Sequence, residues 1–103
     1  ALRGVALLMD TVQKVQGRIN PRLTITGLLA TMYDARTLHT REVLQRLVER
    51  FGDEVFHTVI ARTIKFADAT AAGEPITVFA PSSPAADSYR QLAREVVVRV
   101  EAG

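Results

Sequence analysis

Apolar positions recur at helical spacing from Leu2 to Gln16, at Leu2, Val5, Leu8, Met9, Val12 and Val15. Steps of three and four place them on one stripe, the signature of an amphipathic helix. Gly17 ends the run, and Asn20-Pro21 marks a turn. From Leu23 to Thr31 the pattern alternates at first and then becomes continuously apolar. A strand covered on both faces reads this way.

A polar loop, Tyr33 to Thr37, precedes a second helix with Val43, Leu44, Leu47, Val48 and Phe51 on one stripe. Gly52 stands where a C-terminal cap belongs. Val55 to Ile60 reads as a second short strand. Residues 61 to 82 read as mostly irregular, broken at Gly73 and Pro75, with Ile76 to Phe79 compatible with a short extended piece. Ser83-Pro84 is a strong helix start, because serine caps free amides and proline suits the first helical position. The last helix carries Tyr89, Leu92, Ala93, Val96, Val97 and Val100 in steps that match the helical period, and its Val96 to Val98 run reads as core packing.

Strands joined through helices imply parallel pairing with right-handed crossovers. Two parallel strands alone make a poor sheet. The pattern therefore predicts an α/β chain forming one flank of a larger doubly wound parallel sheet, with about two strands and three helices. Such a flank should expose a strand edge and apolar helix faces.

Composition adjusts this picture little. At 103 residues the chain suits one domain, and 48% apolar residues exclude compositional disorder. There is no cysteine, hence no disulfide, thiolate site or cysteine nucleophile. The net charge of +2 does not identify a nucleic-acid binder without clustering. No apolar run approaches the roughly 20 residues needed to span a bilayer. Ala1 is no initiator methionine, so the chain is expected to begin inside a longer protein.

Candidate chemistry is sparse. Neither GxxxxGK[ST] nor GxGxxG occurs, nor any histidine pair. His39 reads as a solvated residue at a helix start and His57 as a packed or edge histidine. No catalytic residue and no metal ligand set is expected. Arg41, Arg46 and Arg50, and Arg90, Arg94 and Arg99, form rows on two helices. With Glu42, Glu49 and Glu95 as neighbours they read as solvated faces.

Several segments, in order, carry a resemblance across essentially the whole chain. Ala1-Leu-Arg-Gly4, Ile19-Asn20-Pro21 with Leu23-Thr-Ile-Thr-Gly27, and Thr31-Met-Tyr-Asp-Ala-Arg-Thr37 come first. Phe51-Gly-Asp53, Val55-Phe56, Thr58-Val-Ile60, Gly73-Glu-Pro-Ile76 and Tyr89-Arg-Gln-Leu-Ala-Arg-Glu-Val96 follow. Together they resemble the C-terminal part of the ParA/Soj partitioning ATPases of the MinD/ParA superfamily. The resemblance implies a single partial domain over residues 1–103 of a P-loop fold, whose phosphate-binding half lies outside this chain.

It further implies an intact protein that binds ATP with Mg²⁺, forms a homodimer around it and then binds DNA without sequence preference. A centromere-binding ParB-like partner would stimulate hydrolysis, in a cytoplasmic, nucleoid-associated setting. The chain alone would lack hydrolytic activity and bind no cofactor tightly. The family's DNA-contacting arginines match Arg36 and Lys65. The second is a lysine here, which keeps the charge and loses the planar fork. The base-side positions match Thr31, Met32, Ala61 and Arg62, with core packing an equal reading for Met32. Ala61 replaces a family proline, and Ala67 to Thr70 depart from the usual segment, which suggests a divergent branch. Two other readings remain at this point: a MinD-like membrane regulator using its last helix, and a stand-alone, non-enzymatic interaction module.

Overall fold

The computed structural model describes residues 2–103. Helix α1 spans Leu2–Arg18, strand β1 Leu28–Tyr33, helix α2 Leu38–Phe51 and strand β2 Val55–Ala61. A single 3₁₀ turn, Gly52–Glu54, joins α2 to β2. Three more helices follow: α3 at Lys65–Ala72, α4 at Ile76–Phe79 and α5 at Pro84–Ala102. The strands pair in parallel through the α2 crossover, as the alternation of elements requires.

Two stretches differ from the sequence pattern. β1 begins at Leu28 rather than Leu23, because side chains take carbonyls that a strand would need. The Gln16 amide donates to the Leu23 carbonyl at 2.7 Å, and Arg99 donates to that of Thr26 at 3.0 Å. Residues 61 to 82 contain two helices rather than irregular chain. Gly73, with φ of 69°, closes α3 in the left-handed conformation, and Pro75 stands at the N-cap of α4. The two breakers therefore bound helices instead of abolishing them. Ile76 to Phe79 is accordingly helical, not extended, and the described residues form five α-helices rather than three.

Other signals act where the sequence places them. The Ser83 hydroxyl accepts from the Ala86 amide at 3.1 Å, with Pro84 opening the helix. Gly52 caps α2 at φ 54°.

The core is small and centred on β2. Val55, Phe56 and Ile60 are buried there, joined by Ala69, Ile76 and Ala86 from the later helices. α5 packs on β2, and α4 bridges α3 and α5. Phe66 and Tyr89 meet edge to face at 5.6 Å, tying α3 to α5. α1 has no buried residue, and Leu7 and Leu8 are more than half exposed. β1 has none either. The exposed apolar faces expected of a flank are present. Val97 and Val98 of α5 are also exposed, so only part of the valine run packs.

Strand pairing is uneven. The paired positions are Leu28 with Val55, Ala30 with Val59 and Tyr33 with Ala61. β2 thus advances four residues while β1 advances two, and β1 then advances three while β2 advances two. The first irregularity frees strand amides, and Glu95 of α5 takes them. Its carboxylate accepts from His57 N–H at 2.8 Å and Thr58 N–H at 2.9 Å. The second falls beside Met32, whose φ is 54°. Such an angle is uncommon for a residue with a side chain.

Arg99, one turn beyond Glu95, donates to the carbonyls of Thr26, Glu54 and Val55 at 2.9–3.1 Å. Its guanidinium also lies 4.2 Å from the Phe56 ring centroid. Arg99 is therefore a structural tie rather than part of a solvated face. Gly27 is what lets it in: a Cβ there would stand 2.6 Å from both Arg99 and the Phe56 ring.

Candidate functional site

In parallel α/β sheets, ligands meet the carboxyl ends of the strands. Here β1 and β2 end side by side, and the Arg62 amide donates to the Tyr33 carbonyl at 3.0 Å across the gap. Two loops leave this rim, 34–37 towards α2 and 62–64 towards α3. Thr31, Met32, Arg36, Ala61, Arg62 and Lys65 all lie along it, and all are exposed. The topology thus brings every candidate residue to one end of the sheet.

The first loop is built by its own side chains. The Asp34 carboxylate accepts the Arg36 amide at 3.0 Å, an Asx turn. The same carboxylate takes the Arg36 side chain in a fork, Nε to Oδ1 and Nη2 to Oδ2, each at 2.9 Å. Thr37 then caps α2, accepting from the Thr40 amide, while its own hydroxyl donates to the Asp34 carbonyl at 3.2 Å. Asp34, Arg36 and Thr37 of the TMYDART segment therefore each have a local structural task. The hydrogen bonds and charge of Arg36, with the charge of Arg62 adding to them, hold the Asp34 carboxyl down to about 2. Arg36 is held above its ordinary value, first by the hydrogen bond to Asp34.

The second loop is plainer. The Lys65 amide bonds to Thr63 Oγ1 at 3.3 Å, and Ile64 is 79% exposed. Leu38, at the start of α2, is 62% exposed, and Met32, at 69%, is another large apolar side chain open at this rim. Core packing is therefore not its role in this chain. Ile64 and Asp34 were assigned nothing from the sequence. A carboxylate two residues before an arginine and three before a helix-capping threonine was the available signal for Asp34.

No hydrogen bond joins Arg36, Arg62 and Lys65 to one another among the described residues. The cavity beside α1, about 470 Å³ and lined by Ala6, Met9, Gln13, Ile25 and Phe51 among others, is lined by none of the three. Arg90 bonds to Asp87 and the Pro81 carbonyl, and Arg50 stands over the Phe51 ring. These helix arginines serve their own neighbourhoods. His39 is exposed in the first turn of α2, as expected. His57 is exposed on β2. Among the described residues no group of His, Cys, Asp or Glu could hold a metal, and no helix is long and apolar enough to cross a membrane.

The CobQ/CobB/MinD/ParA nucleotide binding domain family matches residues 4–76. An uncharacterized protein of Mycobacterium tuberculosis is 59% identical over 99 residues, covering 96% of this chain and 31% of that protein. The chromosome-partitioning ATPase Soj of Thermus thermophilus is 48% identical over 98% of this chain and 41% of its own length. The chromosome partitioning protein ParA of Caulobacter vibrioides is 37% identical, over 96% and 37% respectively. The chain thus spans about a third to two-fifths of these relatives. With a parallel β-α-β unit whose matched residues meet at the carboxyl ends of the strands, the chain belongs to the CobQ/CobB/MinD/ParA nucleotide-binding domain family.

Proposed function

We propose that this chain is the base-facing and DNA-facing part of a chromosome- or plasmid-partitioning ATPase of the Soj/ParA kind. The observation that carries the proposal is the single exposed rim that gathers Arg36, Arg62 and Lys65 beside Met32 and Ile64. Exposed cations suit a backbone-tracking, sequence-independent DNA contact. Exposed apolar side chains next to a guanidinium suit one wall of an adenine site, formed by Thr31, Met32, Ala61 and Arg62.

These residues fit a nucleotide base and not its phosphates. The chain has no phosphate-binding loop motif and, among its described residues, no metal-ligating cluster. ATP and Mg²⁺ would supply the γ-phosphate chemistry in the intact protein, through residues beyond this chain. Here Met32 would lie against the base and Arg62 would border it, while Arg36 and Lys65 meet DNA phosphates. A homodimer, a ParB-like partner and a cytoplasmic place on the nucleoid belong to the same proposal.

The test is duplex-DNA binding by the intact ATP-loaded protein. Arg36→Ala with Lys65→Ala should weaken binding strongly and reduce the salt slope by about two phosphate contacts, with nucleotide affinity unchanged. An unchanged slope would remove these residues from the DNA surface.

A further inference from the structure

A guanidinium has five N–H donors on two usable edges. In Arg36 the side edge is occupied: Nε and Nη2 each donate one hydrogen to Asp34 at 2.9 Å. The end edge remains, with both Nη1 hydrogens and the second Nη2 hydrogen, and no hydrogen bond to Nη1 forms among the described residues. The pair is asymmetric in solvent. The Arg36 side chain is 88% exposed and that of Asp34 only 19%. One partner is seated in the fold and the other extends from it.

The seat is rigid by construction. Asp34 Oδ1 also accepts the Arg36 amide, so the carboxylate is fixed to the backbone that carries the guanidinium. Thr37 anchors the next residue to α2. A long, flexible side chain on an exposed loop is thereby held in one direction. An exposed ion pair contributes little to stability by itself, so stability is a poor account of this arrangement. Preorganised donors aimed outward do have a use, because a phosphate with two free oxygens takes a guanidinium edge in parallel bonds.

We infer that Asp34 is a positioning residue, which fixes Arg36 by its side edge so that the end edge meets a phosphate of the DNA backbone. The inference rests on the DNA-binding reading above. Asp34 touches no DNA itself and acts through Arg36. It is ionised throughout the pH range of ordinary binding assays, since its carboxyl is held down to about 2. The pair is electrically neutral, so Lys65 provides the attraction while Arg36 provides the fixed geometry.

The experiment is a double-mutant cycle on the intact ATP-loaded protein, read by fluorescence anisotropy with a mixed-sequence DNA duplex. Asp34→Asn retains a carbonyl for the Asx turn and removes the charge and one fork acceptor. It should weaken DNA binding by about fivefold to tenfold, and Arg36→Ala by at least as much. In the Arg36→Ala background, Asp34→Asn should cause no further loss. Binding of a fluorescent ATP analogue, which general damage to the loop and α2 would disturb, should stay unchanged in all variants. Equal or tighter DNA binding by Asp34→Asn would overturn the inference, because Asp34 would then only mask charge. So would an equal loss in both backgrounds, or a parallel loss of nucleotide affinity. If Arg36→Ala alone has no effect, the DNA-binding role of Arg36 itself falls, and the inference with it.

Discussion

α1 and α5 are both long amphipathic helices, yet only one is integrated into this fold. α5 begins at a side-chain cap, reaches the β2 amides through Glu95 and ties three carbonyls through Arg99. α1 makes no such connection to a strand, and its apolar stripe is at most half-buried. Both carry an apolar stripe, but only α5 packs on β2, and polar bonds fasten it there. Side chains of α5 satisfy strand groups that irregular pairing and a late strand start leave open. An apolar stripe determines that a helix forms, whereas these bonds determine where it docks.

The sharpest way to break this difference is at Gly27. Gly27→Val puts a branched side chain where Phe56 and Arg99 already stand, and should lower stability by about 3 kcal/mol. A fall in the urea midpoint of the 103-residue chain would show it. Arg99→Ala follows, leaving the Thr26, Glu54 and Val55 carbonyls without their donor. A loss of about 2 kcal/mol is expected by the same measurement.

Glu95 gives a smaller, pH-dependent effect. Burial alone would raise its pKa, but the hydrogen bonds from the amides of Thr58 and His57 outweigh this and hold it below its usual 4.5. The Thr58 hydroxyl itself has no hydrogen-bond partner. A carboxyl lowered by folding stabilises above its unfolded pKa, and that contribution is lost as pH falls through the folded value. The urea midpoint should therefore decline as pH drops below about 4.5, and less so in Glu95→Gln. The smallest effect belongs to α1: Leu7→Lys should change the stability of this chain by no more than about 0.5 kcal/mol. A larger loss would mean that α1 is packed after all.

The parallel strands, the Gly52 cap and the Ser83-Pro84 start could all be read from local pattern, since each depends on near neighbours. α3 could not. Its stretch from Lys65 to Ala72 has only Phe66 and alanines to form a face, and Gly73 and Pro75 looked like disruption when they were boundaries. The start of β1 was hidden because Thr24 and Thr26 alternate like a strand. The arginine that takes the Thr26 carbonyl lies 73 residues away. At the rim, a single resemblance points to Arg36 and Lys65 together, but it gives no role to the carboxylate that orients Arg36 within the same motif. Charges of opposite sign two residues apart read as neutral in sequence, though in space they make a directed donor.

Glu95 also sets the direction in which the sheet can be extended. With its carboxylate seated on the His57 and Thr58 amides, Glu95 has already taken two donors that β2 would otherwise offer to a further strand. β1 carries no comparable stopper among the described residues. A complementing strand that needed those two β2 donors would find them filled.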